Sequence, residues 1–259
     1  MNPETTVLVT AGAAGIGRAI AAAFLAGGAR VHVCDISADA IATVTRELPT
    51  ITATQADVSK VAEVDQVFDD VRRLYRRLDV LVNNAGIAGP TAPVEAIEPV
   101  DWDRTVAVDL NGQFYCTRRA VPMLKAAGGG SIINIASNAA LFGFPLRTPY
   151  TACKWALIGF TKTLAMELGT HQIRVNAICP GSVKGPRIDR VIERDAAERG
   201  RTADEIRAIY ARQSSMRLFV SAEDVANLAF FLASKAGATI SGQAIGIDGH
   251  TESLSNWLD

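Results

Sequence analysis

The sequence is poor in the residues that build metal clusters and disulfide frameworks. Its 259 residues include four cysteines and three histidines, which are widely separated and contain no CxxC pair. This spacing argues against a zinc site or a disulfide framework, and it fits free thiols in a reducing cytoplasm. We therefore expect a cytoplasmic protein without a metal site.

An excess of one charge and long apolar runs are also missing. The chain has 26 Lys and Arg against 27 Asp and Glu, so it lacks the basic excess of a typical nucleic-acid binder. No apolar run approaches the roughly 18 residues that span a bilayer, and the first six residues lack the basic start of a secretory signal. With 49% hydrophobic and 20% charged residues, the composition is that of a globular protein. We expect no nucleic-acid or membrane partner.

Short β-branched runs alternate with stretches of helical length along the chain. The predicted strands are residues 7–10, 31–34, 51–53, 80–82, 132–135, 175–178 and 244–247, and the predicted helices are residues 18–26, 38–48, 61–76, 102–126, 151–168 and 222–233. Strands that are apolar throughout are covered on both faces, as in a parallel sheet, and repeated β-α-β order gives a doubly wound sheet. We predict a single α/β domain over 1–259, a Rossmann fold with about seven parallel strands and helices on both faces.

Residues 184–217 interrupt this alternation with two polar segments of helical length, 187–199 and 202–212. Thr202 with Glu205 begins the second of these segments, and Ser221 with Asp224 begins the next helix; both pairs match the capping-box pattern. An insertion beyond the carboxyl end of a strand is where substrate lids lie. The sequence therefore predicts a substrate lid at about 184–217.

The first predicted strand runs into a glycine-rich turn that leads to a helix. Gly12, Gly15, Ile16 and Gly17 form this turn. Glycines allow the backbone to approach a pyrophosphate, whose charge is stabilised by the amides of a helix N-terminus. The alternative is a plain strand-to-helix turn without a ligand.

An acid ends the second predicted strand at the distance that a dinucleotide site requires. Asp35 can accept hydrogen bonds from the adenosine ribose hydroxyls, and it would repel a 2′-phosphate. Neither Ile36 nor Ala14 offers a cation for that phosphate. The alternative is that Asp35 caps the next helix, which Ser37 could also do. The pattern favours NAD over NADP.

Further motifs follow in a fixed order along the chain. They are Thr10…Gly15-Ile16-Gly17, Asp57-Val58, Asn83-Asn84-Ala85-Gly86, Asn111, Ser137, Tyr150-Thr151-Ala152-Cys153-Lys154 and Pro180-Gly181. In this order and at these separations the chain resembles the classical short-chain dehydrogenases/reductases over essentially its whole length.

The resemblance implies a catalytic group of four residues. Tyr150 would be the general acid/base on the substrate oxygen, and Lys154, one helical turn later, would stabilise the phenolate and bind the nicotinamide ribose. Ser137 would hydrogen-bond the substrate oxygen. Asn111 would complete a proton relay through water.

The resemblance also implies the cofactor contacts. Asn83, Ala85 and Gly86 would lie against the cofactor, Asp57 and Val58 would meet the adenine, and Pro180, Gly181 and Val183 would run along the nicotinamide. Two positions depart from the family pattern. Ala11 replaces the first glycine of the loop, which puts the local cofactor geometry in doubt, and His250 replaces a glycine near the C-terminus.

These residues together predict reversible hydride transfer between NAD and a secondary alcohol carbon. We expect a small polar hydroxy compound as substrate (a sugar, polyol or hydroxy acid), and Arg147 or Arg187 could meet its carboxylate. The alternatives are a 3-oxoacyl thioester reductase and, from another class, a regulator that binds NAD without turnover. By resemblance we also expect a homotetramer or homodimer that associates through 102–126 and 151–168.

Overall fold

The computed structural model describes residues 1–254; residues 255–259, which the predicted domain includes, lie outside this range. The strands are β1 (Thr6–Thr10), β2 (Arg30–Asp35), β3 (Thr52–Gln55), β4 (Val80–Asn83), β5 (Gly130–Ile135), β6 (Ile173–Pro180) and β7 (Ala244–Ile247). The α-helices are α1 (Gly15–Ala26), α2 (Ala38–Glu47), α3 (Val61–Tyr75), α4 (Pro99–Val106), α5 (Gly112–Ala126), α6 (Thr148–Leu168), α7 (Pro186–Arg199), α8 (Ala203–Arg212) and α9 (Ala222–Ala233). No helix within residues 1–254 is long and apolar enough to cross a membrane.

The seven strands form one parallel sheet in the order β3-β2-β1-β4-β5-β6-β7. The chain winds outward from β1 to β3 and then returns to β4 on the other side of β1, so a crevice opens between the carboxyl ends of β1 and β4. Ligands of doubly wound sheets bind at this reversal. The predicted α/β fold and strand number are confirmed.

Strand periodicity divides the core into two layers. Val7 and Val9 of β1 face α1 and α9 and pack with Phe24, while Leu8 faces the opposite layer and packs with Phe68 of α3. All of these side chains are fully buried. Because side chains alternate across a strand, every apolar strand of the sheet supplies both layers at once.

The element bounds differ from the prediction mainly where the backbone is irregular. The helix predicted from residue 18 begins at Gly15, and the edge strand predicted at 51–53 lies at Thr52–Gln55. The helix predicted over 102–126 begins at Pro99 and contains a π-helical segment, Ala107–Asn111, between α4 and α5. A π-turn changes which residues share a face, and such turns concentrate at functional sites.

A buried histidine on β2, next to the edge strand β3, predicts a pH dependence of stability. His32 lies between Thr52 and Thr54, with its ring nitrogens 2.6 and 3.0 Å from the two hydroxyl oxygens. Burial lowers the pKa of His32 to about 4, although Asp70 opposes the shift. The neutral ring therefore stabilises the fold fully above pH 6.5, the unfolded value, and this contribution is lost as the pH falls towards 4.

We expect the free energy of unfolding of the wild type to fall by about 3 kcal/mol more between pH 6.5 and pH 4 than that of His32→Gln. Glutamine can still hydrogen-bond the threonines but does not titrate. Urea unfolding across this pH range measures the difference. The exposed His171 supplies the control, since His171→Gln should follow the wild type. Parallel curves for wild type and His32→Gln would contradict the assignment.

Candidate active site

A cavity of about 530 Å³ occupies the crevice at the carboxyl ends of the strands. It extends from the glycine loop and Asp35 to the first turn of α6 and the helices α7 and α8. Of the predicted site residues it is lined by Gly15, Ile16, Asp35, Gly86, Ser137, Tyr150, Lys154, Pro180, Gly181 and Val183. The fold thus brings these ten predicted residues from six separate stretches of chain to one cleft.

The glycine loop is closely packed at the positions where glycine is required. A Cβ on Gly17 would lie 2.1 Å from the carbonyl oxygen of Ala11, and one on Gly12 would lie 2.5 Å from Val33 Cγ1. Helix α1 begins directly after the loop without a side-chain cap and without an acid in its first turn. Its first amide groups are therefore available to an anion.

Ala11 keeps the loop conformation despite its methyl group. Its φ angle is +47°, a left-handed conformation that favours glycine and costs other residues about 1–2 kcal/mol. Ala11 therefore adopts the conformation that the turn requires, at this cost in backbone strain.

Asp35 borders the cleft and does not cap α2. Its two carboxylate oxygens accept hydrogen bonds from the amides of Ala13 and Ser37, at 3.2 and 3.1 Å. The cap of α2 is Ser37, whose Oγ accepts from the amide of Ala40. The adjacent Ile36 is apolar and 65% exposed.

Tyr150, Lys154 and Ser137 face the same part of the cavity. Tyr150 lies in the first turn of α6, and Lys154 Nζ is 5.5 Å from the centre of its ring. Lys154 is buried, and its Nζ donates to the carbonyl oxygen of Ile135 at 3.2 Å. Ser137 lies two residues after the end of β5, and its Oγ accepts from the amide of Ala139 at 3.1 Å. A phenol, an ammonium and a hydroxyl therefore line the same cavity.

The structure does not bring Asn111 to this group. Asp109 approaches Lys154 from the π-helical segment instead, with Oδ2 3.4 Å from Nζ. Asn111 does not line the cavity. Its role in a proton relay stays a prediction, and Asp109 is the residue of this segment that the structure places in contact with Lys154.

Gly12 and Gly17 of the glycine loop are not among the residues that line this cavity, and four further predicted cofactor contacts also lie away from it. Asn83 is fully buried beneath the cleft, where its Nδ2 donates to Thr117 Oγ1 and Asn134 Oδ1. It shares the face of β4 with Leu81, which explains this position. Ala85 is buried beside it, and Asp57 and Val58 lie beyond the cavity lining.

Asn84 is the residue of this motif that was missed. It lines the cavity, and its Nδ2 donates to the carbonyl oxygens of Thr10 and Ala11 at 3.0 and 3.1 Å. The sequence could have indicated this position, because successive side chains along a strand point to opposite faces. Asn84 directly follows the inward-facing Asn83 and therefore points the other way.

A buried guanidinium forms part of the far wall. Arg147 is 3% exposed, and its Nη2 donates to the carbonyl oxygen of Ala88 at 2.7 Å. Its Nε has no hydrogen-bond partner within residues 1–254, and no carboxylate there forms an ion pair with it. Its guanidinium carbon lies 5.2 Å from the centre of the Tyr150 ring and 5.4 Å from that of Phe144. Burial lowers the pKa of Arg147, but arginine stays charged in proteins.

The predicted insertion folds over this wall. Helices α7 and α8 share a small apolar core that includes Ile192 and Ile206, and Thr202 and Glu205 form the predicted capping box. Arg187 reaches from α7 to the carbonyl oxygen of Gly86 at 3.2 Å. The lid role of this segment stays a prediction, but its residues form one side of the cavity.

His250 lies outside the cavity. It is exposed, and its Nδ1 is 2.9 Å from Ser215 Oγ. Its φ angle is +63°, which explains why a glycine would suit this position equally well.

Comparison with known proteins identifies the family to which the chain is related. A family model described as enoyl-(acyl carrier protein) reductase matches residues 11–250. The chain is 37% identical to a D-beta-hydroxybutyrate dehydrogenase of Rhizobium meliloti, over 94% of this chain and 97% of the relative.

A second relative and a solved structure agree with this match. The chain is 35% identical to a 3-oxoacyl-[acyl-carrier-protein] reductase of Thermotoga maritima, over 93% and 95% of the two chains. The protein belongs to the classical short-chain dehydrogenases/reductases. The crystal structure of levodione reductase superposes with a TM-score of 0.88 at 29% identity, covering 95% of this chain and 96% of the other. The family is an oxidoreductase family, and these relatives are consistent with alcohol–ketone interconversion.

Proposed function

We propose that this short-chain dehydrogenase/reductase is an NAD-dependent oxidoreductase that interconverts a short hydroxy acid and its keto acid. The observation that carries the substrate class is the buried Arg147 beside Tyr150, a cation without a carboxylate partner in the described chain. The Rhizobium relative is named for a hydroxy acid, hydroxybutyrate, and this supports the same class.

The residues around the glycine loop fit NAD. The crowded glycines and the uncapped start of α1 suit a pyrophosphate, and the Asp35 carboxylate suits two free ribose hydroxyls. Asn84, Gly86 and Lys154 border the space beyond, where a nicotinamide ribose would lie. NAD supplies the hydride acceptor or donor when bound.

The protein's own residues manage the proton and the orientation. In alcohol oxidation, Tyr150 accepts the hydroxyl proton from the substrate oxygen. Ser137 donates a hydrogen bond to that oxygen and fixes its position. The buried ammonium of Lys154 stabilises the phenolate because little water screens it there. In ketone reduction the same proton returns from Tyr150.

Arg147 limits the length of the substrate. Its guanidinium carbon is 5.2 Å from the Tyr150 ring, so a carboxylate bound to it lies close to the carbon whose hydroxyl reaches Tyr150. Buried Arg–carboxylate pairs combine charge and hydrogen bonds. A 2- or 3-hydroxy acid meets this geometry, whereas a long chain would extend past the anchor.

The assay that tests the proposal compares matched acids and esters. We expect NADH formation from short 2- or 3-hydroxy acids, with kcat/KM at least about tenfold higher than for the corresponding methyl esters, because the ester cannot form the ion pair. NADP should be the poorer cofactor, since Asp35 repels its phosphate. Equal turnover of acid and ester would contradict the carboxylate anchor, and turnover with NADP alone would contradict the cofactor assignment.

A 3-oxoacyl thioester reductase remains the second candidate. A shallow apolar depression lined by Phe142, Phe144, Pro145 and Leu254 lies beside the cavity, and the Thermotoga relative carries that name. Turnover of a 3-oxoacyl thioester without turnover of any hydroxy acid would favour it. Binding of NAD without turnover would favour a regulator.

Three further expectations stay proposals. They are a cytoplasmic location, a substrate lid over 184–217, and association through α4, α5 and α6 into a dimer or tetramer.

A further inference from the structure

A buried carboxylate lies behind the amine of Lys154. Asp109 is fully buried and Lys154 is 2% exposed. The Oδ1 atom of Asp109 accepts from the amide of Ile87 at 2.7 Å. The Oδ2 atom lies 3.4 Å from Lys154 Nζ, in ion-pair contact, and has no hydrogen-bond donor in residues 1–254. The charge of Asp109 is therefore directed at Lys154.

The surroundings of this pair are closely packed. A Cβ on Gly86 would lie 3.2 Å from Asp109 Oδ2 and 3.4 Å from Lys154 Nζ, so the cleft wall is in direct contact with the pair. Gln113, four residues after Asp109, is buried as well, and neither polar atom of its side chain has a partner in the described chain. Charges interact more strongly in such an interior than in water.

We propose that Asp109 is a positioning residue of the catalytic centre, which offsets part of the Lys154 charge and thereby sets the pH range in which Tyr150 exchanges its proton. The inference rests on the proposed function, because it concerns the proton step of that reaction. Asp109 does not line the cavity and has no described contact with Tyr150, so it acts through Lys154.

Few other groups near the pair change charge in the working pH range. The titratable groups that face the pair are Tyr150 and Cys153 of α6 and Cys179 of β6, while Asp248 faces Cys179 and Arg147 faces Tyr150. Burial raises the pKa of Cys153 and of Cys179 to about 11, so both thiols stay neutral at lower pH. Asp109 is the carboxylate in ion-pair contact with Lys154.

The test is the pH profile of alcohol oxidation in Asp109→Asn at saturating NAD. Asparagine has nearly the same shape and can still accept from Ile87, but it removes the negative charge. The uncompensated ammonium should stabilise the phenolate further, and we expect the acid limb of log kcat to move by about one unit to lower pH. At a pH on that limb, the ratio of kcat to its maximal value would then be about tenfold higher in the variant than in the wild type.

Controls separate this effect from loss of structure. Asp109→Glu keeps the charge and should leave the limb near its wild-type position, even if kcat falls. Asp79→Asn removes an acid that is paired with Arg77 at the other end of β4, and its profile should match the wild type. Asp109→Ser removes the same charge with a smaller side chain and replaces Asp109→Asn if circular dichroism shows that the latter is unfolded.

The results that would overturn the role of Asp109 differ from those that would overturn the proposed function. A downward shift in Asp109→Asn or Asp109→Ser, absent in Asp109→Glu and Asp79→Asn, supports the inference. Coincident profiles, or a shift to higher pH, overturn it while leaving the proposed function intact. Absence of NAD-linked turnover in the wild type overturns the proposed function instead.

Discussion

Tyr150→Phe should lower kcat for hydroxy acid oxidation by about 10²–10⁴-fold, which is the usual contribution of a positioned general acid/base. The ring stays in the first turn of α6, between Lys154 and Arg147, so only the group that exchanges the proton is lost. The NAD affinity should change by less than about threefold, because the glycine loop and Asp35 are untouched. Steady-state rates and a fluorescence titration with NADH measure the two quantities.

Tyr115→Phe is the matched control. It removes a phenol from α5 outside the cavity, and its kcat should equal that of the wild type. If Tyr150→Phe kept more than about a tenth of the wild-type kcat, Tyr150 would not be the acid/base. If its NADH affinity fell as steeply as kcat, the loss would reflect cofactor binding and not proton transfer.

Arg147→Met should lower kcat/KM for a short hydroxy acid by about 10²-fold or more, since truncating one partner of a buried charge pair costs about 2–5 kcal/mol. Turnover of the methyl ester should change little, because it makes no ion pair. The free enzyme should be at least as stable as the wild type, since a buried cation without a counter-charge is replaced by an apolar side chain. Steady-state kinetics with the acid and the ester measure the loss of kcat/KM, and thermal unfolding measures the stability of the free enzyme.

The control for Arg147 lies on α7. Arg194 is exposed, and Arg194→Met should leave both substrates unaffected. An equal loss for acid and ester in Arg147→Met would indicate that the arginine shapes the wall without binding a carboxylate. A clear fall in unfolding free energy would show that its contact with Ala88 matters more than the cost of its burial.

Much of the fold could be predicted from the sequence because parallel sheets leave a simple pattern. Continuous apolar strands such as Val7–Thr10 and the capping residues Thr202 and Ser221 have local causes, and the structure confirms them. Repeated β-α-β units predict parallel strands joined by right-handed crossovers. The bounds that moved include those of the edge strand β3, the start of α1 and the helix predicted over 102–126, which the π-helical segment divides.

The site was predicted less completely, and each difference has a physical reason. The π-helical segment after α4 has no clear sequence pattern, so the contact between Asp109 and Lys154 was not predicted. Asn83 was assigned to the cofactor by its motif, whereas strand alternation turns it into the core and leaves Asn84 at the cleft. The burial of Arg147 depends on α7 and α8, which are distant in sequence, so its unpaired state could be seen only in the fold.

Isotope transfer tests the central claim most directly. A short hydroxy acid that carries deuterium on its carbinol carbon is incubated with NAD and the wild-type enzyme, and the cofactor is analysed by mass spectrometry. Direct hydride transfer beside Tyr150 predicts NADH with one deuterium and an unlabelled keto acid carbon. NADH without deuterium, or no NADH at all from any hydroxy acid or alcohol, would contradict the account.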